Sequence, residues 1–251
     1  MKRMTFLLLV SLFWGTLWAQ QKGVRCVRSG RVEITSDWDV KVDSTAAEIL
    51  APYRQQVDSV AGPVLGMSRV AMDVRRPESP LSNWAADVLV ETSTATGLPR
   101  ADVGLINMGG LRSNMPRGIV RRGDIMLISP FDNQVVVVEV TGKQLMRLFH
   151  NIAEIRGQGV SDGVRIRISP EGELLEVTLQ GEPVLPKRIY RVATIDYLAE
   201  GNDNMTALRK HKRVYPLDIL LREAMMESII KNRIIDSKVE GRVVLVQHVN
   251  L

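Results

Sequence analysis

Residues 103–116 read Val-Gly-Leu-Ile-Asn-Met-Gly-Gly-Leu-Arg-Ser-Asn-Met-Pro, or VGLINMGGLRSNMP. An apolar run ends in an asparagine, two glycines and an arginine. Paired glycines let the backbone turn with positive φ or approach another group closely. An arginine beyond the bend offers a planar fork of donors suited to phosphate or carboxylate. Two readings fit: an ordinary turn with a solvated arginine, or a strand that ends in a binding loop. A motif this short does not separate them, so the rest of the chain has to.

Lys2 and Arg3 precede an apolar stretch from Phe6 to Trp18, and Ala19-Gln20 offers a small-residue cleavage point. This pattern predicts a secretory signal peptide over 1–20. The competing reading, a membrane anchor, needs about 20 consecutive apolar residues, more than this segment supplies. Val24 and Arg25 before Cys26 are not the small residues of a lipid-attachment site. The expectation is therefore an exported chain, periplasmic or secreted, with no membrane association after cleavage.

About 230 of the 251 residues then remain, enough for a substantial core. With one cysteine there is no internal disulfide, so the core must hold the fold. Without Lys2 and Arg3 the balance is 31 basic against 28 acidic side chains, which is mild. The one dense basic run, Arg209-Lys210-His211-Lys212-Arg213, has no interleaved aromatics and matches no nucleic-acid motif. It reads as a solvated face, and no nucleic-acid partner is expected.

Along the chain, residues 21–41 are polar and irregular, an N-terminal extension with one short strand expected at Arg31–Thr35. Thr45 and Glu48 form a capping-box pair ahead of Ile49, Leu50, Tyr53, Val57 and Val60, which share one helical face. Gly62-Pro63 ends that helix, and a strand-like run follows from Val64 to Val74. Ser79 and Pro80 open a second helix that buries Leu81, Trp84, Ala85, Val88 and Leu89, with Gly97 beyond its end. The spacing then predicts a strand over Asp102–Ile106, an irregular segment through Arg122-Gly123-Asp124, and a buried β-branched strand over Gln134–Val140. Thr141 and Gln144 cap a helix carrying Leu145, Leu148, Phe149 and Ile152. Val164–Ile168 and Leu174–Leu179 flank Pro170-Glu171-Gly172-Glu173 as a hairpin. A strand at Ile189–Ile195, a helix from Pro216 to Asn232 and a strand from Arg242 to Gln247 complete the pattern. Helices and strands mixed with a hairpin predict an α+β, mixed-sheet domain.

Four polar loops follow strands or open helices: 75–83, 107–112, 129–133 and 196–204. Such positions are where binding groups are mounted. They supply arginines suited to an anion and two rings suited to a flat apolar group, although Phe131 behind Pro130 also fits a core plug. The ordered blocks resemble the C-terminal, substrate-recognition domain of 5'-nucleotidases and periplasmic UDP-sugar hydrolases. Those blocks are Arg-x-x-Glu-Ser-Pro-Leu, Asn-x-Gly-Gly-Leu-Arg, Arg-Gly-Asp-Ile, Pro-Phe-x-Asn, Val-Thr-Gly-Lys-Gln-Leu and Tyr-Arg-Val-Ala-Thr-x-Asp-Tyr-Leu-Ala-x-Gly-x-Asp. The resemblance runs from about Val42 to Val246, so a domain over 42–251 is expected, with the layered α/β/β/α arrangement of that type.

The resemblance implies a role for each matching position. Phe131 and Tyr197 would sandwich a nucleobase, Asp203 would accept from ribose hydroxyls, and Arg75 and Arg112 would bind phosphate. Arg76 stands next to Arg75 and is able to replace it. Asn107 would lie beside the phosphate or ribose, on the loop turned by Gly109 and Gly110. Two departures stand out: Gly201-Asn202-Asp203-Asn204 replaces the family's Gly-Gly-Asp-Gly, and Tyr197 stands where phenylalanine is frequent.

The family's enzymes also carry a metallophosphatase domain whose two metal ions activate the attacking water. The motifs for it are not found around His150, His211 or His248, so no metal, cofactor or catalytic residue is expected in this chain. Divalent metals would then belong to a separate metallophosphatase partner. Two functions are consistent with that: the nucleotide-recognition half of a split, exported 5'-nucleotidase, or a non-catalytic periplasmic protein that binds nucleotides or nucleosides.

Overall fold

The computed structural model describes residues 30–33, 35, 43–95 and 97–246. The signal segment 1–20, most of the 21–41 extension, Cys26 and His248 lie outside these residues, and residues 31–33 and 35 carry no strand. The chain divides into two compact units at Leu50/Ala51. Helix α1 (Ser44–Ala61) begins in the first. Its first turn is capped by Asp43, whose Oδ1 accepts from the N–H groups of Thr45 and Ala46, and not by the expected Thr45. The apolar residues Ile49, Leu50, Tyr53, Val57 and Val60 are all exposed. Periodicity identified the helix; it does not tell what, if anything, covers the face.

The second unit is an α+β fold built on mixed sheets. The largest sheet has the order β5-β2-β8-β4-β9, formed by Gly159–Val160, Val103–Ile106, Ile189–Ile195, Gln134–Thr141 and Arg213–Leu220 respectively. β2 and β8 are parallel neighbours, whereas β4 runs antiparallel to both β8 and β9. Helix α2 (Pro80–Ala95) packs on β2, β5 and β8, with Leu81, Trp84, Ala85, Val88 and Leu89 all buried. It comes so close that a Cβ on Gly104 of β2 would stand 2.2 Å from the Ala86 carbonyl oxygen, which leaves glycine as the residue that fits. Helix α4 (Gly142–Glu154) is closed by the expected box, with Thr141 N–H donating to Gln144 Oε1 at 2.8 Å and Gln144 N–H to Thr141 Oγ1 at 3.3 Å. Its Leu145, Leu148, Phe149 and Ile152 enter the core.

A second sheet has the order β11-β6-β7, from Val243–Leu245, Val164–Ile168 and Leu174–Leu179. The last two form the expected antiparallel hairpin. A third sheet, β10-β1-β3, comprises Ile234–Ile235, Val64–Ser68 and Gly118–Arg121.

Three further expectations change. The strand expected over Val64–Val74 stops at Ser68, with only an isolated bridge from Met72 to Met115 beyond it. The segment expected to be irregular contains β3 and helix α3 (Arg122–Ile128), because β3 finds a distant partner in β1 and Arg121 N–H is capped by Asp124 Oδ2 at 2.7 Å. Finally, Pro216–Leu220 belongs to β9, and the helix, α6, spans only Leu221–Asn232. Tyr215, Leu217 and Ile219 alternate toward the core, and Pro216 is accommodated because β9 is an edge strand that pairs on one side only.

Candidate functional site

The directions of three strands put three loops at one end of the large sheet. β2 and β8 are parallel, so their C-terminal ends, Ile106 and Ile195, point the same way. β4 is antiparallel to β8 with Val135 opposite Ile195, which brings the start of β4 to that end as well. The loops so gathered carry Asn107–Arg112, Phe131–Asn133 and Tyr197–Asp203. Around them lies a cleft of about 420 Å³ lined by Asn107, Gly109, Gly110, Arg112, Phe131, Asn133, Tyr197 and Asp203.

Each loop is held by identifiable bonds. After β2 the chain makes a single 3₁₀ turn, Met108–Gly110. Met108 N–H donates to the buried Gln158 Oε1 at 2.8 Å, and Arg112 N–H to the Ile128 carbonyl at 2.8 Å. The Phe131 loop is clamped by Arg222 of α6, which donates to the Phe131 carbonyl at 3.1 Å and pairs with Asp132 Oδ1 at 2.6 Å. Tyr197 lies in a short helix, α5 (Asp196–Ala199), directly after β8. Asp203 and Asn204 follow with φ of 50° and 67°. This left-handed region is one that aspartate and asparagine tolerate better than most residues, so the loop turns with asparagine at 204, where the family pattern has glycine.

The two rings are surface groups. Phe131 is 47% exposed and Tyr197 40%, whereas Phe149 is fully buried. Phe131 is therefore not a core plug. Asp203 sits at the meeting point of the polar groups: its Oδ1 accepts from the Tyr197 hydroxyl at 3.1 Å and its Oδ2 from Asn107 Nδ2 at 2.5 Å. A carboxylate only accepts, so Asn107 must present its NH₂ to it. Asn107 Oδ1 then points away, buried and with no hydrogen-bond partner in the protein. Donation to Asp203, then the charge of Asp203, raise the pKa of the Tyr197 hydroxyl, which stays protonated at neutral pH.

The arginines divide differently from the sequence expectation. Arg112 lines the cleft, exposed, with Nη1 3.2 Å from the Gly109 carbonyl oxygen. Arg75 does not line it and is paired with Asp73. Its neighbour Arg76 donates to the Gly157 carbonyl. Arg76 does not line the cleft either; burial lowers its pKa, and the nearby charge of Asp203 partly opposes this. Two residues belong to the site that motif reading did not single out, Asn133 in the lining and Arg222 as the clamp. Asn133 stands inside the Pro-Phe-x-Asn block, the signal by which it was findable. Arg222 carries no local signal, since its partner is 91 residues away.

The chain belongs to the family of 5'-nucleotidase C-terminal domains, whose model matches residues 60–210. Among curated relatives, an apyrase of Tabanus yao is 23% identical over 236 residues, covering 81% of this chain and 43% of its own length. A trifunctional nucleotide phosphoesterase protein of Bacillus subtilis is 25% identical over 245 residues, covering 89% of this chain and 17% of its own. Among solved structures, a 5'-nucleotidase precursor from Thermus thermophilus superposes with a TM-score of 0.73 at 25% identity, covering 82% of this chain and 44% of that one. The Haemophilus influenzae NAD nucleotidase shares the fold, with a TM-score of 0.63 at 17% identity over 80% of this chain and 41% of that one. The chain thus spans less than half the length of each of these proteins.

The two-metal centre of a metallophosphatase needs clustered carboxylate and imidazole ligands. Among the described residues no group of three or more His, Cys, Asp or Glu side chains is placed to hold a metal, so the residues present do not fit that centre. No helix among them is long and apolar enough to cross a membrane.

Proposed function

We propose that this chain is the nucleotide-recognition half of an exported 5'-nucleotidase, acting on phosphate esters presented to a metallophosphatase carried by a separate protein. One observation carries the reading: a single cleft is lined by exposed rings, a carboxylate and an arginine, at the positions where the family motifs fall. Phe131 and Tyr197 stack on the base, an interaction worth about 1–3 kcal/mol per base and tolerant of base identity. Asp203 accepts from the ribose hydroxyls. Arg112, helped by Arg76, neutralises the phosphate. Asn133, two residues after Phe131 and on the cleft wall, offers an amide donor and acceptor to the base edge. The residues at 1–20 export the chain. The phosphoester is cut by the partner, while this chain binds and orients the nucleotide.

The test is calorimetric titration of the mature protein with AMP, UMP and adenosine. Binding of the nucleotides with adenosine weaker supports the reading. Equal binding of adenosine and AMP favours a nucleoside-binding protein, and no binding of any of the three rejects both.

A further inference from the structure

The Tyr197 hydroxyl has no part in stacking, since a phenylalanine ring presents the same face, yet it is not idle. It donates to Asp203 Oδ1 at 3.1 Å while Asn107 Nδ2 holds Oδ2 at 2.5 Å. Each carboxylate oxygen thus spends one lone pair inside the protein and keeps the other, and two free acceptor directions remain for the two hydroxyls of a cis-diol.

The loop that carries Asp203 has no glycine after it to relieve the left-handed backbone. Instead its neighbours are pinned by side chains: Asn202 Nδ2 donates to the Tyr197 carbonyl at 2.9 Å, and Asn204 Nδ2 to Glu154 Oε2 at 2.9 Å. The Tyr197 ring, 40% exposed, is not locked by core packing either. The ring and the carboxylate therefore steady one another.

Resting on the nucleotide reading above, we infer that the Tyr197 hydroxyl is a positioning group that aims Asp203 at the ribose 2'- and 3'-hydroxyls and so sets the preference for ribonucleotides over deoxynucleotides.

Tyr197→Phe keeps the ring and removes only the hydroxyl. AMP, 2'-deoxy-AMP and 2',3'-dideoxy-AMP are titrated into wild type and variant by calorimetry, with thermal melts to verify folding. The preference for AMP over the dideoxy nucleotide should shrink about three- to ten-fold in Tyr197→Phe, the equivalent of one net hydrogen bond. Asp203→Ala should remove the preference, and adding Tyr197→Phe to it should change nothing more. An unchanged or increased preference in Tyr197→Phe, with Tyr197→Ala still weakening every ligand, overturns this inference and leaves the nucleotide reading standing. If Phe131→Ala, Tyr197→Ala and Asp203→Ala all bind AMP as wild type does, the nucleotide reading fails and this inference with it.

Discussion

A Cβ on Gly110 would stand 2.8 Å from Asn107 Oδ1 and 3.3 Å from Asn107 Cγ. The absent side chain at 110 is what allows the Asn107 amide to turn toward Asp203. Gly110→Ala should therefore push the amide aside, break its donation to the carboxylate and weaken AMP binding by about 0.5–1.5 kcal/mol, the equivalent of one net hydrogen bond. Calorimetry measures the loss, and a thermal melt near that of wild type shows that it is local.

Arg112 is the arginine on the cleft wall. Arg112→Ala should reduce AMP affinity strongly and adenosine affinity little, because only the charged ligand forms the charge-assisted pair. The difference should narrow at high salt. Arg112→Lys should restore part of the loss, since an ammonium lacks the two-pronged geometry. Equal losses for AMP and adenosine would show that the side chain merely braces the loop.

Removal of the Phe131 ring should cost AMP about 1–3 kcal/mol. Arg222→Ala should cost less, because it frees the loop that carries the ring without deleting the ring itself. If Arg222→Ala equalled or exceeded Phe131→Ala, the guanidinium would have to contact the ligand directly.

Arg242 is 96% buried and is shared between Asp87 and Glu240, at 2.8 Å from each. Burial pulls its pKa down, but the hydrogen bonds and charges of the two carboxylates outweigh this and the net shift is upward. Arg242→Ala removes the donor shared by the half-buried Asp87 and Glu240 and by the Asn83 and Val160 carbonyls, and should destabilise the fold by about 1–3 kcal/mol in urea unfolding. The cleft lies elsewhere, so AMP affinity of the folded fraction should change little.

The purified chain with Mn²⁺, Co²⁺ or Zn²⁺ should release no phosphate from AMP, because no described residues assemble a two-metal centre. Metal-dependent release by a homogeneous preparation would place the chemistry in this chain and dismiss the partner.

Local pattern and tertiary placement decide different parts of this fold. Caps and periodicity are properties of neighbouring residues, so α2, α4 and the β6/β7 hairpin were legible from Ser79-Pro80, Thr141/Gln144 and the Pro170–Glu173 turn. The same locality explains the misses. Pro216–Leu220 looked helical because nothing nearby in sequence reveals that β4 offers it a pairing edge, and β3 was invisible until β1, some 50 residues earlier, became its neighbour.

The candidate residues were legible as motifs, but their meeting was not. That the loops of Asn107, Phe131 and Tyr197 share one cleft follows from the parallel pairing of β2 with β8 and the antiparallel pairing of β4 with β8. Motif reading also put Arg75 forward with Arg76 in reserve, whereas the fold engages Arg75 with Asp73 and brings Arg76 under the influence of Asp203. A sequence determines which local structures are favourable because those energies come from adjacent residues. Which loop faces which depends on strand pairing between distant segments, and only the folded chain decides that.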